Sequence, residues 1–214
     1  MNTRDEILTR LRAKTREAEL PAPWRSRRHF ADLAERFSQS LTAVHGEVIR
    51  AASLAGALQQ AGNVIARLGA QKVVVNGVRP LTDIPWNEKW PQTDWYQVGQ
   101  TEGDLTAFCA AADLGISSAE AALAETGTIV IYSGPDQSRL ATLLPPVHLA
   151  LVPTSCLTAD LFTFTASRQG ELPANLVFVS GPSKTADIEQ TMAIGVHGPK
   201  RFIVVLYTDE TAAA

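Results

Sequence analysis

A carboxylate and a hydroxyl stand side by side in the run AETGTIVIYSG, residues 124–134, just before an apolar segment. Glu125, Thr126 and Gly127 form a turn, and the β-branched and aromatic residues 128–132 are typical of a buried strand. Gly127 gives the backbone the freedom that lets a ligand or another backbone come close. The turn predicts a carboxylate held toward a cleft. The alternative is that Gly127 only caps a preceding helix.

A second polar run, SGPSKTADIE, spans residues 180–189 between a predicted strand and a predicted helix. The first backbone N–H groups of a helix attract anions, and Lys184 adds a positive charge, so this turn could bind phosphate or carboxylate. Asp187 and Glu189 compete for the same amides. The alternative is therefore a simple helix cap provided by Ser183 or Thr185.

Two histidines lie at strand starts: His148 after PPV, and His197 in GVHGP before the last predicted strand. Histidine suits proton transfer near neutral pH, and with Glu125 or Glu189 the pair could also ligate a metal. A structural role is the alternative for each histidine. We predict proton handling and assign no metal site.

The composition narrows the class of protein. The chain has 214 residues, 45% of them hydrophobic, and a formal net charge of −3, which fits one main domain and gives no case for nucleic-acid binding. No stretch approaches the roughly 18 apolar residues of a membrane span, and the N-terminus lacks the apolar core of a secretory signal. We expect a soluble, cytoplasmic protein that binds no membrane. A nucleophile elbow and GxGxxG are absent, so hydrolase and dinucleotide-binding interpretations lack their usual support.

Cys109 and Cys156 are the two cysteines of the chain, and they are far apart in the sequence. Iron–sulfur clusters and structural zinc sites commonly use four ligands of this kind, so the chain alone cannot supply a four-cysteine site. We expect both to be buried free thiols.

Apolar periodicity predicts an alternation of strands and helices after residue 45. The predicted strands are residues 72–75, 114–116, 128–132, 147–152, 176–180 and 202–207, and the predicted helices are residues 47–68, 118–123, 137–143, 158–168 and 186–194. Continuous apolar strands between helices indicate an α/β fold with a mostly parallel sheet covered on both faces. In such sheets ligands bind beyond the carboxyl ends of the strands.

Two segments fall outside that alternation. Residues 1–45 read as a helical appendage whose thin apolar stripe packs on its own domain or, alternatively, on a partner. Residues 79–97 carry Trp86, Trp90 and Trp95 in a proline-rich stretch. This stretch predicts a lid or an interface, or else a long loop that the tryptophans pin to the body.

Four motifs, ADLGISSAEAALAETGT, RLATLLPPVH, SGPSKTADIE and GVHGPKRFIVVL, occur in this order between about residues 112 and 206. Together they resemble the lactate utilisation protein C family, the LUD domain. The resemblance implies a domain over residues 46–210 that follows the appendage. It also implies a fold similar to that of the sugar-phosphate isomerase and coenzyme A transferase superfamily, NagB/RpiA-like.

The resemblance further implies a function. Proteins of this family are components of a bacterial system that oxidises L-lactate to pyruvate, whose other members carry cysteine-rich and iron–sulfur motifs. No cofactor is then expected on this chain alone, and the clusters belong to partner proteins. A small carboxylate or phosphate is the expected ligand.

We predict that the turns at Glu125, Ser180 and His197 converge on one pocket. Glu125, His197 and His148 are the predicted catalytic residues; the predicted substrate- or anion-binding residues are Thr126, Gly127, Arg139, Ser180, Gly181, Ser183, Lys184, Asp187, Glu189 and Gly198. Two other functions stay open. One is a coenzyme A transferase in which Glu125 attacks an acyl thioester; the other is a small-anion sensor without turnover.

Overall fold

A parallel sheet of six strands lies at the centre of the structure, a computed structural model that describes residues 3–14, 24–168, 170–171, 173–185, 193–194 and 197–209. Its strands are β1 (Glu47–Ala51), β2 (Lys72–Val75), β3 (Asp94–Gln97), β4 (Leu114–Ser117), β7 (Val147–Pro153) and β12 (Arg201–Tyr207). Their order is β1-β12-β7-β4-β2-β3, and every neighbouring pair is parallel. The predicted α/β class with a mostly parallel sheet is confirmed.

A second sheet of four strands packs on one face of the first. It contains β5 (Ala121–Leu123), β6 (Thr128–Ser133), β8 (Leu157–Thr158) and β9 (Asn175–Val179) in the order β8-β5-β6-β9. Its inward side chains, such as Ile129 and Ile131, share a core with Ala150 and Val204 of the parallel sheet. The pairs β5 with β6 and β6 with β9 are antiparallel.

Helices complete the layers. They are α1 (Thr3–Ala13), α2 (Leu33–Ala43), α3 (Leu54–Leu68), α4 (Trp86–Lys89), α5 (Leu105–Ala111), α6 (Leu140–Leu143) and α7 (Leu161–Ser167). Helix α3 covers the other face of the parallel sheet, α2 packs between the two sheets through Phe37 and Leu41, and Phe164 of α7 covers the outer face of the second sheet. None of the helices in the described part of the chain is long and apolar enough to cross a bilayer.

The predicted helix over residues 118–123 is wrong, and the one over residues 47–68 is wrong in part. Residues 118–123 end in strand β5, which pairs with β6 across the turn at Glu125, because a turn glycine so close to a short apolar run closes a hairpin. Residues 47–68 divide into strand β1 and helix α3, and the Oγ of Ser53 begins the helix by accepting a hydrogen bond from the Gly56 amide at 3.2 Å.

Three predicted helices differ in extent. Residues 137–143 are helical only at Leu140–Leu143, and residues 158–168 only at Leu161–Ser167. Of residues 186–194, Ala193–Ile194 form the short strand β11, which pairs with β10 (Lys184–Thr185). The remainder of that segment lies outside the described residues.

The tryptophan-rich segment is tied to the body of the protein. Trp86 and Trp95 are buried, and their ring centroids lie 4.9 Å apart. The Nε1 of Trp86 donates to the carbonyl oxygen of Leu81 at 3.0 Å. The structure therefore matches the alternative in which the tryptophans pin the loop.

Within the predicted appendage, the two helices differ. Ile7 and Leu11 of α1 are exposed, whereas Phe37 and Leu41 of α2 are fully buried in the core. The boundary near residue 45 stays a prediction. The contacts of α2 are intrachain contacts.

Gly127 is the point at which the hairpin touches α2. Its φ is 65°, and a Cβ atom added there would lie 2.3 Å from the backbone nitrogen of Leu41. Gly69 has a similar φ of 60°, but an added Cβ would meet no atom within 4 Å. A comparison of substitutions at Gly69 and Gly127 therefore separates the loss of stability caused by an unusual backbone angle from the loss caused by a steric clash.

We predict that Gly69→Ala lowers the free energy of unfolding by about 1 kcal/mol, from backbone strain alone. Gly127→Ala should lower it by about 2–4 kcal/mol, since the clash with α2 adds to the strain. Urea unfolding with unchanged m-values measures both. Equal losses in the two variants would contradict the close packing.

Candidate functional site

The SGPS turn (residues 180–183) and the HGP turn (residues 197–199) meet at a cavity of about 290 Å³, here called the SGPS cavity. The amide of Ser183 donates to the carbonyl oxygen of Pro199 at 2.9 Å, which joins the two turns. The cavity is lined by six predicted site residues, which belong to the two turns or directly follow the first: Ser180, Gly181, Ser183, Lys184, His197 and Gly198. The structure thus brings these two of the three predicted turns together.

The floor of the SGPS cavity is formed by His148 and Phe202, at the amino ends of β7 and β12. The general rule for parallel sheets placed the ligand at the carboxyl ends. The difference arises because β9 belongs to the second sheet, where it pairs antiparallel with β6, and the residue after its carboxyl end, Ser180, lines the same cavity as His148 and Phe202.

His148 is completely buried, and its side chain contacts that of Ser117 on the neighbouring strand β4. The Oγ of Ser117 lies 2.8 Å from the Nε2 of His148, and the Phe202 ring centroid lies 5.0 Å from that of the imidazole. The Nδ1 of His148 is buried and has no hydrogen-bond partner among the described residues. A ligand in the cavity could supply that partner.

Burial lowers the pKa of His148 to about 3, because an apolar environment disfavours the imidazolium ion. The side chain is therefore neutral near pH 7 and a weak base. Its chemistry in this setting is hydrogen bonding, with one ring nitrogen directed to Ser117. A catalytic role for His148 stays a prediction, and burial works against proton transfer by this group.

A chain of hydroxyl groups connects the Glu125 turn to the SGPS turn. The Oγ1 atoms of Thr126 and Thr128 are 2.7 Å apart, and the Oγ1 of Thr128 lies 2.7 Å from the Oγ of Ser180. The third predicted turn therefore touches the cavity wall through hydroxyls. Thr128 is the central link.

The carboxylate of Glu125 contacts a different part of the molecule. It forms an ion pair with Arg28, in the segment before α2, and it is not among the described residues that line the SGPS cavity. The carbonyl oxygen of Glu125 accepts hydrogen bonds from the Oγ of Ser40 at 3.0 Å and from Arg36 at 3.4 Å. The side chain and backbone of Glu125 thus join the hairpin to the N-terminal segment.

Gly127 of the Glu125 turn and Gly181 of the SGPS turn have structural roles. Gly127 and Gly181 have positive φ values of 65° and 130°, and each packs against the end of α2, at Leu41 and Val44 respectively. A Cβ atom at Gly127 would clash with the backbone of Leu41, whereas one at Gly181 would lie 3.2 Å from Val44. Their role in ligand binding stays a prediction.

Arg139 does not line the SGPS cavity but a second one, on the other side of α6. Asp187 and Glu189 lie outside the described residues. Among the residues that the structure describes, no three histidine, cysteine, aspartate or glutamate side chains cluster closely enough to hold a metal ion. The open alternative of a metal held by both histidines and Glu125 therefore has no support in the geometry.

Sequence reasoning missed three residues at the site: Ser117, Thr128 and Thr142. Ser117 and Thr128 make the hydrogen bonds described above, and Thr142 of α6 lines the cavity. A polar residue within a buried apolar strand was the available signal for Ser117 and Thr128. Thr142 carried no such signal, because its helix is a single turn.

Comparison with known proteins places the chain in a family. The LUD domain model matches residues 34–207. Lactate utilization protein C of Exiguobacterium sp. is 31% identical over 98% of this chain and 97% of its own length. Lactate utilization protein C of Halalkalibacterium halodurans is 33% identical over 85% of this chain and 82% of its own length. The chain belongs to the LUD domain family.

A solved structure shares the fold. The crystal structure of a DUF162 family protein from Deinococcus radiodurans matches with a TM-score of 0.55 and 18% identity. The match covers 82% of this chain and 96% of that one. At this identity the likeness concerns the fold alone.

We predict a pH-dependent stability that originates at His148. Its pKa is about 3 in the folded protein and 6.5 when exposed, so the unfolded state binds an additional proton between these values. The free energy of unfolding should fall by about 1.4 kcal/mol per unit as pH drops below 6.5, until pH approaches the folded pKa. Denaturant titrations between these pH values measure this slope.

The variant His148→Gln should lose this part of the slope, because glutamine does not titrate. Ser117→Ala is the matched control, since it removes the hydrogen bond at Nε2 and keeps the buried imidazole. It should retain the slope. Identical slopes in wild type and His148→Gln would show that the buried imidazole does not control the pH dependence.

Proposed function

We propose that this LUD domain protein is a cytoplasmic component of a bacterial system that oxidises L-lactate to pyruvate together with iron–sulfur partner proteins. The observation that carries the proposal is the similarity, along nearly the whole chain, to a protein named for lactate utilisation. The four motifs of the site region belong to the segment that the family model matches.

The electron balance of the reaction supports a partnership. Oxidation of L-lactate to pyruvate releases a pair of electrons and two protons, which an acceptor must take up. Iron–sulfur clusters commonly use four cysteine ligands, and this chain has two cysteines, both free thiols. Burial raises the pKa of the Cys156 thiol to about 12 and that of Cys109 to about 11, so neither is a thiolate at neutral pH. The clusters then belong to the partners.

The SGPS cavity suits a small carboxylate. Lys184 and Ser183 bring a positive charge and a hydroxyl to its rim, and the Nδ1 of the neutral His148 ring has no partner among the residues that the structure describes. A carboxylate near Lys184 and a hydroxyl or carbonyl near His148 would match these groups. Lactate and pyruvate both have this pattern.

The coenzyme A transferase alternative is less well supported. It requires the carboxylate of Glu125 to reach a bound acyl thioester. That carboxylate is instead paired with Arg28, which neutralises it and covers it on the side of the N-terminal segment. Nucleophilic attack would first require that this ion pair open.

We predict that tagged protein, isolated from its own host grown on L-lactate, captures iron–sulfur proteins. Deletion of the gene should abolish growth on L-lactate and leave growth on pyruvate intact, because pyruvate enters after the oxidation step. Absence of such partners together with normal lactate growth in the deletion strain would reject the proposed role.

Ligand binding can be tested on the purified chain. We predict that Lys184→Gln weakens pyruvate and L-lactate binding by about tenfold in calorimetric titrations, through loss of a charge-assisted contact. Lys200→Gln is the matched control, since Lys200 is exposed, follows the HGP turn and is not among the described residues that line the cavity. Equal affinities in wild type and Lys184→Gln would remove the SGPS cavity as the carboxylate site.

A further inference from the structure

The second cavity, here called the Arg139 cavity, has a volume of about 500 Å³. Its walls include Val98, Leu105, Ser133, Arg139, Leu140 and Asn175. Small-molecule sites in proteins are commonly clefts of about 300–1,000 Å³ with mostly apolar walls and a few polar groups. The Arg139 cavity has this size and this mixture.

The Arg139 cavity lies at the carboxyl side of the parallel sheet, unlike the SGPS cavity. Val98 directly follows β3, and the turn of residues 134–138 is fixed above the end of β2. The amide of Gly77 donates to the carbonyl oxygen of Asp136 at 2.7 Å, and the amide of Ser138 donates to the Oδ1 of Asn76 at 3.0 Å. The residues that follow β2 therefore fix the position of this turn, which forms part of the cavity wall.

This end of the sheet is also where the strand order changes direction. From β2 the chain continues to β3 at one edge, whereas β4, β7 and β12 extend toward the other edge. Open α/β sheets bind ligands in the crevice outside the carboxyl ends at such a switch point. The topology thus favours this location independently of the residues that line it.

The charge among the described residues that line the Arg139 cavity is positive. Arg139 is the one charged side chain among the described residues that line it, and it forms no salt bridge with any described residue. An exposed guanidinium at the rim of an apolar cleft can bind a carboxylate or phosphate through two parallel hydrogen bonds. No described acid competes for that position within the cavity.

Polar groups without partners mark the same region. The Oγ of Ser133, on the cavity wall, and the Nδ2 of Asn76, behind the turn of residues 134–138, are buried without a hydrogen-bond partner in the described part of the chain. Leaving a buried polar group without a hydrogen-bond partner destabilises the protein, because the group has lost its bonds to water. A ligand oxygen that bonds to Ser133 would remove part of that destabilisation.

We propose that the Arg139 cavity is a second ligand site, which binds a small organic anion. The anionic group lies at Arg139, a polar oxygen bonds to the Oγ of Ser133, and an apolar body packs against Leu105 and Leu140. The proposal does not depend on the role in lactate oxidation. It separates Arg139 from the SGPS cavity, with which sequence reasoning grouped it.

The test uses three probes: inorganic phosphate, pyruvate and 4-methyl-2-oxopentanoate, a 2-oxo acid with a branched apolar tail. Binding is followed by amide chemical shifts in nuclear magnetic resonance, which report position as well as affinity. The branched acid should bind most tightly, because its tail buries apolar surface. Its shifts should centre on Ser133, Ser138 and Asn175.

Substitutions then test the assigned contacts. Arg139→Gln should weaken binding of 4-methyl-2-oxopentanoate by about tenfold, and Arg139→Lys by less, because lysine keeps the charge but loses the paired hydrogen bonds. Ser133→Ala should weaken it by a smaller factor. Arg67→Gln, an exposed change near the end of α3, should leave this affinity unchanged.

Three results would overturn the proposal. One is an affinity for the branched acid that Arg139→Gln does not alter. A second is a set of shifts confined to Ser183 and His197, which would assign all binding to the SGPS cavity. The third is the absence of binding by any of the probes at millimolar concentration. None of these results bears on co-purification with iron–sulfur proteins, so failure here is distinguishable from failure of the proposed function.

Discussion

The close contact between α2 and two glycine turns is the constraint from which the site geometry follows. Gly127 and Gly181 allow the hairpin and the SGPS turn to pack directly on Leu41 and Val44, with no side chain between. That contact joins α2 to the second sheet, whose inward side chains share a core with α2 and the parallel sheet. Ser180, next to Gly181, lines the same cavity as the buried His148, and a Cβ atom at Gly127 would clash with the backbone of Leu41.

The same layering decides the chemistry of each cavity. Covered by the second sheet, His148 has a pKa of about 3 and takes part as a neutral hydrogen-bonding group. Each cavity has a positively charged side chain at its rim, Lys184 in the SGPS cavity and Arg139 in the Arg139 cavity. Helix α6 separates them, since Arg139 precedes its first residue and Thr142 near its end lines the SGPS cavity.

Much of the fold was predictable from local pattern. The strand after Gly127 and the final strand were predicted within a residue or two, because β-branched and apolar runs report burial directly. Such runs do not show which neighbouring strand each strand pairs with. Strands β6 and β9 were therefore assigned to the parallel sheet, although they pair with each other, antiparallel, in the second sheet. The pairing depends on the connection at Glu125, which closes a hairpin instead of continuing a helix.

By itself, the sequence determined the α/β class, the family motifs and the turns at which polar groups gather. Only the tertiary structure decided which of these groups share a cavity. Glu125 meets Arg28, 97 residues earlier in the chain, and Arg139 faces a cavity apart from the SGPS turn. The physical reason is that a motif specifies its own backbone conformation, whereas the direction of a side chain and its charge partner depend on layers assembled from distant segments.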